Sequence, residues 1–130
     1  MIKAGDWPTL SELENALRNA WSIETSDEPE NWSMANCSRG QCGASTLVVN
    51  DWFGGDLLIS TVHVEGKQIG VHYSNRLPNG STFDPTGDQF FPYENVGSPE
   101  MVERIAILPK SGAERYKTLS ARVGDILCRK

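Results

Sequence analysis

One cysteine, one histidine and one aspartate of this 130-residue sequence occur in an order that could support nucleophilic catalysis. Cys42 follows a polar stretch that ends in Gly40-Gln41, and an apolar run typical of a helix begins directly after it. A thiol in the first turn of a helix lies near unpaired backbone N–H groups and the positive end of the helix dipole. Both favour the thiolate, which is the nucleophilic form of cysteine.

The base for this sulfur has to come from one of two histidines, His63 and His72. Asp84 follows His72 twelve residues later, on the next predicted strand, whereas His63 has no acid at a useful spacing after it. A carboxylate that holds one ring nitrogen of His72 would turn the other nitrogen toward Cys42. We therefore assign Cys42 as nucleophile, His72 as base and Asp84 as the residue that orients the base.

Whether His72 and Asp84 share a face of the sheet depends on the loop between their strands. A loop of three or five residues places them on the same face, and a two-residue Asn79-Gly80 turn places them on opposite faces. The longer loop fits at least as well, because Pro78 cannot donate a hydrogen bond to the ladder.

The elements that would position these residues form an α+β pattern. Apolar spacing predicts helices with one buried face, and capping boxes mark their starts. The β-branched run after Gly54-Gly55 predicts an antiparallel meander. We predict one domain over residues 1–130, in which the helix that carries Cys42 packs on this sheet and terminal helices flank it. The predicted elements are helices at 10–21 and 42–53, strands at 56–64, 68–76 and 81–84, a short helix from Ser98 and a last helix from Ser111, with loops at 22–40 and 88–93.

Composition narrows the classes of partner. The net charge of −5 and the pI of about 5.0 argue against nucleic acid, since phosphate binding needs clustered Lys and Arg. No apolar stretch approaches the length of a membrane span, and the N-terminal residues lack the apolar core of a signal peptide. Three cysteines cannot all pair, so we expect a reduced protein of the cytoplasm.

Each of these residues also has a structural interpretation. Free cysteine is among the most buried residue types, and Asp before Pro85 often caps a turn. Cys37, Cys42, His63 and His72 together offer four zinc-type ligands, but their spacing matches no common zinc module. We expect neither a metal nor another cofactor, and we interpret Cys37 and Cys128 as structural or incidental.

A wider set of residues resembles a known family. Gly40-Gln41-Cys42, Phe53-Gly54-Gly55, His72-Tyr73 and Asn75 are joined by Asp84-Pro85-Thr86, Asp88-Gln89-Phe90 and Arg115-Tyr116. Together these segments are similar to the YunG-like family of small bacterial proteins. The order of cysteine, histidine and aspartate also resembles the papain-like superfamily, and most closely its transglutaminase-like variant. The chain is much shorter than a typical papain-like protease, which disfavours protease activity.

The resemblance implies a papain-like core and chemistry on an acyl group. We expect a cysteine-dependent hydrolase or acyl transferase that acts on an amide, isopeptide or thioester bond or deamidates glutamine. The partner would be a protein, a peptide or a small amide or thioester. Gln41 and Trp32 are the candidate substrate-binding residues, through an amide and an indole N–H. The alternative is a binding or regulatory protein without catalysis, in which the same three residues serve packing.

Overall fold

The structure is a computed structural model that describes residues 7–128. The side chains of residues 108–111 are not described. Helices and an antiparallel sheet make up the described part, which bears out the α+β prediction. The helices are α1 (Leu10–Ala20), α2 (Cys42–Phe53), α3 (Arg104–Ser111) and α4 (Ala113–Leu127). The strands are β1 (Asp56–Val64), β2 (Lys67–Arg76), β3 (Thr82–Phe83), β4 (Asn95–Val96) and β5 (Glu100–Val102).

The sheet is built around β1. Strand β2 pairs with it along one edge, and β3 extends the sheet beyond β2. The other edge of β1 is divided between β4 near its end and β5 near its start. All of these pairings are antiparallel, so the described sheet resembles a meander with a split outer edge.

Helix α1 begins and packs as its sequence predicts. The hydroxyl of Thr9 accepts from the N–H of Glu12, and the carboxylate of Glu12 accepts from the N–H of Thr9, which completes a capping box. Leu13, Ala16 and Leu17 are fully buried, and they pack in the apolar cluster that also holds residues of α2 and α4. One face of α1 is therefore part of the main core.

Helix α2 is the central element of the fold. Every residue from Cys42 to Val49 is buried, so its first two turns have no solvent face. The indole N–H of Trp21 donates to the hydroxyl of Ser45 and fastens α1 to this helix. The amide of Asn75 donates to the carbonyl of Thr46 and fastens β2 to it from another side. A helix enclosed in this way holds its first residue, Cys42, in a fixed place.

Helix α2 has the predicted bounds, residues 42–53. Its C-cap residue is Gly54, whose φ of 72° requires glycine. The predicted helix from Ser98 is wrong, because Glu100–Val102 forms strand β5 and the next helix begins at Arg104. Strand β1 is rich in apolar residues, and its free edge takes β5 as a partner. Local capping signals cannot reveal this long-range pairing.

Two other boundaries also differ from the prediction. The predicted third strand, 81–84, is reduced to Thr82–Phe83, which leaves Asp84 in the turn that follows. The last helix was predicted from Ser111, but its N-cap residue is Gly112 and its first residue is Ala113. The side chain of Ser111 lies outside the described part. Within residues 7–128, no helix combines the length and the apolar character needed to cross a membrane.

The packing of α1 predicts a difference between two leucines of the same helix. Leu17 is fully buried, whereas Leu10 is 37% exposed. We expect Leu17→Ala to lower the free energy of unfolding by about 2–5 kcal/mol, because it leaves a cavity in the core. We expect Leu10→Ala to change it by about 0.5 kcal/mol or less. Urea unfolding followed by circular dichroism measures both, and equal losses would contradict this description of the core.

Candidate functional site

Cys42 is the first residue of α2, and the residue is 7% exposed. The N–H groups of a first helical turn have no partner inside the helix. The residue before the helix, Gln41, directs its amide to Ser22 and Thr25 rather than to the helix end. The sulfur therefore lies at the positive end of the helix dipole.

His72 and Asp84 form a direct pair. Nε2 of His72 lies 2.8 Å from Oδ1 and 2.9 Å from Oδ2 of Asp84. A carboxylate can only accept, so Nε2 carries a proton and donates it. The imidazole is 2% exposed, whereas the carboxylate is 38% exposed on its outer side. The pair thus joins a buried ring to an acid that still touches water.

The loop length that was left open in the sequence decides this pairing. Strand β2 pairs Asn75 with Phe83 and Arg76 with Thr82, and the N–H of Leu77 donates to the carbonyl of Ser81. Residues 78–80 therefore make a three-residue loop, which places His72 and Asp84 on the same face. The conditional prediction is confirmed in its longer-loop form.

The environment of His72 favours its charged form. Burial alone would lower the pKa of His72, but the hydrogen bond with Asp84 opposes it, followed by the contact with Cys42 and the negative charges of both partners. Together they raise the pKa of His72 from 6.5 to about 9. The imidazole is then protonated at neutral pH and lies between two acidic groups, Asp84 and Cys42.

The second ring nitrogen, Nδ1, is the one left for Cys42. It is buried and has no hydrogen-bond partner of good geometry among residues 7–128, although Cys42 is close enough to raise the pKa of the ring. Contacts between a nucleophile and its base are often long or poorly aligned until a substrate is bound. We therefore describe Cys42 and Nδ1 as neighbours rather than as a formed hydrogen bond.

A cavity of about 130 Å³ gives access to Cys42. Val62, Ile69, Val71 and Phe90 contribute an apolar wall. Phe90 also packs edge-on against the ring of His72, with 4.8 Å between the ring centroids. The cavity is thus continuous with the packing of the base. The charged lining residues are Asp27, Glu28, Arg39 and Glu94.

Arg39 holds the charged wall together. Its guanidinium binds both carboxylate oxygens of Glu94, at 2.7 and 3.1 Å, and one oxygen of Glu28 at 3.1 Å. The side chains of Arg39 and Glu94 are 8% and 3% exposed, and a bidentate pair of this kind is strong and directional. This clasp ties the stretch before Cys42 to the segment that follows the acid Asp84.

Asp27 is the charged lining residue outside the Arg39 clasp. The residue as a whole is exposed, but its carboxyl group is largely screened from water. This burial, and then the negative charge of Glu28, raises the pKa of Asp27, while Arg115 and Arg39 oppose the shift. The wall beside Cys42 carries more negative than positive charge.

Gln41 and Trp32 have structural partners in this fold. The amide of Gln41 is fully buried, where it donates to the carbonyl of Ser22 and accepts from the hydroxyl of Thr25. The indole N–H of Trp32 donates to the carbonyl of Cys37 at 2.8 Å. Binding a substrate through these groups would require the bonds to break, so they serve to shape the loop before Cys42.

The remaining candidates lie apart from this arrangement. His63 is on β1, where it pairs with Gln68 and Asn95. Cys37 and Cys128 are free thiols, partly buried and exposed respectively. In residues 7–128, no group of three or more His, Cys, Asp or Glu side chains is placed to hold a metal ion.

Arg39, Glu94 and Gln89 are site residues that the sequence did not reveal. Arg39 and Glu94 lie in irregular segments and Gln89 in a single 3₁₀ turn, so no hydrophobic period marks them, and their partners are far away along the chain. Gln89 appears in the family resemblance but carried no assigned role. Apart from that resemblance, no pattern in the sequence marks these residues.

An α+β protein with a buried cysteine beside a histidine–aspartate pair is the class that fold and site define. The family model described as YunG protein matches residues 9–127, so the chain belongs to the YunG family. A relative from Bacillus subtilis (strain 168), described as "Uncharacterized protein YunG", is 31% identical over 81 residues. That match covers 62% of this chain and 63% of the relative. No solved structure matches the chain.

Because the pKa of His72 is raised, we expect the stability lost when the Asp84 carboxylate is removed to depend on pH. A raised pKa means that folding favours the protonated ring, so this stabilisation is complete below about pH 6.5 and is lost as the pH rises through about 9. We expect Asp84→Asn to lower the free energy of unfolding by about 1–3 kcal/mol at pH 6 and by less at pH 10. Urea unfolding at both pH values measures the change.

Asp56→Asn is the matched control. Asp56 pairs with Arg76 at 3.2 Å, and both side chains are well exposed. Such a pair contributes about 0–1 kcal/mol, and it includes no histidine. A loss in Asp84→Asn that is equal at pH 6 and pH 10 would show that His72 is neutral in the folded protein.

Proposed function

We propose that this protein is a cysteine-dependent hydrolase or acyl transferase with a papain-like, transglutaminase-like arrangement of Cys42, His72 and Asp84. The observation that carries the proposal is the buried His72, bonded to Asp84 through Nε2, with Cys42 close enough to the ring to help raise its pKa. A base held by an acid beside a cysteine at a helix start is the geometry that activates a sulfur nucleophile.

The chemical steps follow from these positions. The Cys42 thiolate attacks a carbonyl carbon, a C–S bond forms, and the electron pair moves to the carbonyl oxygen. The backbone N–H of Cys42 is the candidate donor to that oxyanion. The electron pair then returns from the oxygen to re-form the carbonyl, the bond to the leaving group breaks, and the leaving group takes the proton of His72. The acyl group stays on Cys42 through the new C–S bond. Water or an amine then attacks the acyl group, gives its proton to His72, and the thiolate leaves.

The cavity limits what can reach the sulfur. An engineered cavity of about 150 Å³ holds a molecule the size of benzene, so the 130 Å³ beside Cys42 suits one side chain or one small group. This size favours the carboxamide of a glutamine, an isopeptide or a small thioester over a long peptide. The excess of carboxylates on the wall favours a neutral or basic group.

A binding or regulatory protein without catalysis is the second candidate. The observation that favours it is the low exposure of Cys42, which is 7%. A buried thiol that merely packs on the apolar cluster with Leu47 and Tyr73 would need no base. The two candidates differ in the reactivity of Cys42 at low pH.

The direct test is the pH dependence of Cys42 alkylation by iodoacetamide in a Cys37→Ser, Cys128→Ser background. The ratio of the rates at pH 6 and pH 9 cancels the effect of burial on access. For an ordinary thiol this ratio is about 1 to 200, because only the thiolate reacts. We expect a ratio within about 1 to 10 if a thiolate is paired with protonated His72.

Two variants interpret that ratio. His72→Ala is expected to return it to the value of an ordinary thiol, and His63→Ala is expected to leave it unchanged. An ordinary ratio in the parent chain, or inertness of Cys42 until urea unfolds the protein, would overturn the proposal and favour the binding protein.

The charge of the cavity wall gives a separate prediction. Asp27→Asn removes one negative charge from the wall of the cavity that Cys42 also lines, and one charge in such a wall changes a rate by about two- to fivefold. We expect the rate with anionic iodoacetate to rise by that factor relative to the rate with neutral iodoacetamide. Lys67→Gln, at the exposed start of β2, is the control for a change of net charge. An unchanged reagent preference in Asp27→Asn would mean that Asp27 does not act on the reacting group.

A further inference from the structure

Gln89 is a buried amide that touches both halves of the candidate site. It ends the short 3₁₀ turn Gly87–Gln89, and it is 3% exposed. A buried amide has to be satisfied by hydrogen bonds, since an unpaired one is costly. The hydrogen-bond partners of Gln89 therefore indicate the role of this residue.

One end of the amide holds the segment before the cysteine. Oε1 of Gln89 accepts from the N–H of Gly40 at 3.1 Å, two residues before Cys42. Gly40 has a φ of 74°, and a Cβ there would lie 2.3 Å from the hydroxyl oxygen of Ser26. The chain can take this path only with glycine, and the bond from Gln89 fixes its N–H.

The other end of the amide holds the segment after the acid. Nε2 of Gln89 donates to the carbonyl of Thr86 at 3.0 Å, two residues after Asp84. The approach is close, because a Cβ on Gly87 would lie 2.9 Å from Oδ2 of Asp84. The turn that carries the acid is thus packed against its own carboxylate and fastened by Gln89.

The backbone around Gln89 adds two further links. Its carbonyl accepts from the amide of Asn36 at 2.9 Å and from Arg39 at 3.4 Å. The next residue, Phe90, is the one whose ring lies against His72. One residue therefore contacts the loop of the nucleophile, the turn of the acid and the neighbour of the base.

We propose that Gln89 is a positioning residue that sets the approach of Cys42 to the His72–Asp84 pair. This role rests on the proposed function, because it concerns the same sulfur and the same base. Gln89 acts through backbone groups on both sides. It fixes the separation of two segments that no regular element connects, and Cys42 and His72 remain neighbours as a result.

The test uses Gln89→Met, which keeps an unbranched side chain of similar length and removes both hydrogen bonds. In the Cys37→Ser, Cys128→Ser background, we expect the alkylation rate ratio between pH 6 and pH 9 to fall by about tenfold, because small misplacements are costly in such sites. We also expect the pKa of His72, followed by NMR of its ring, to fall, since Cys42 no longer contributes to it.

Ser45→Ala separates this role from general loosening. It also removes a buried hydrogen bond, the one from the indole of Trp21, at a point where α1 meets α2. We expect it to lower stability and to leave both the rate ratio and the His72 titration as in the parent chain. Gln89→Asn, which keeps the amide but is one methylene too short to reach both Gly40 and Thr86, replaces Gln89→Met if that variant does not fold, and the same direction of change is expected.

The outcomes of the two proposals are distinguishable. A parent-like ratio and a parent-like His72 titration in the Gln89 variant would overturn the positioning role and leave the proposed function intact. Equal changes in Ser45→Ala would also overturn it. If the parent chain has the alkylation rate ratio of an ordinary thiol, the proposed function is overturned. The His72 titration alone then tests the positioning role of Gln89.

Discussion

The bond between His72 and Asp84 is the interaction on which the site depends. An imidazole that is 98% buried would lose its charge in an apolar setting, because burial disfavours the charged form. Asp84 reverses this preference by accepting from Nε2 and remains partly solvated itself. The buried ring can then hold a proton near neutral pH, and the sulfur of Cys42 is the group that can use it.

Local signals suffice for much of the scaffold. The capping box at Thr9, the apolar run behind Cys42 and the glycines after Phe53 placed α1 and α2 to within a residue. The shared face of His72 and Asp84 depended on the length of one loop, for which the sequence allowed both three residues and two. Features that depend on a few neighbouring residues can be predicted from the sequence in this way.

The parts that were not predictable depend on contacts between distant segments. Strand β5 forms because β1 has a free edge, which overrode the helix signal at Ser98. Gln41 looked available for substrate, but its amide is taken by two residues of the preceding loop. The clasp of Arg39 with Glu94 crosses irregular segments that have no hydrophobic period. Such polar contacts are specified by the finished fold rather than by any local pattern.

In the proposed site, Cys42 is a thiolate beside a protonated His72. The most direct measurement of this state is the ultraviolet absorbance of thiolate at pH 6.5, taken as the difference between the Cys37→Ser, Cys128→Ser chain and the same chain with Cys42→Ala. An ordinary thiol would be about 1% ionised there. We expect a difference close to one thiolate per chain, which His72→Ala removes. No difference until the pH exceeds 8 would contradict the proposed site.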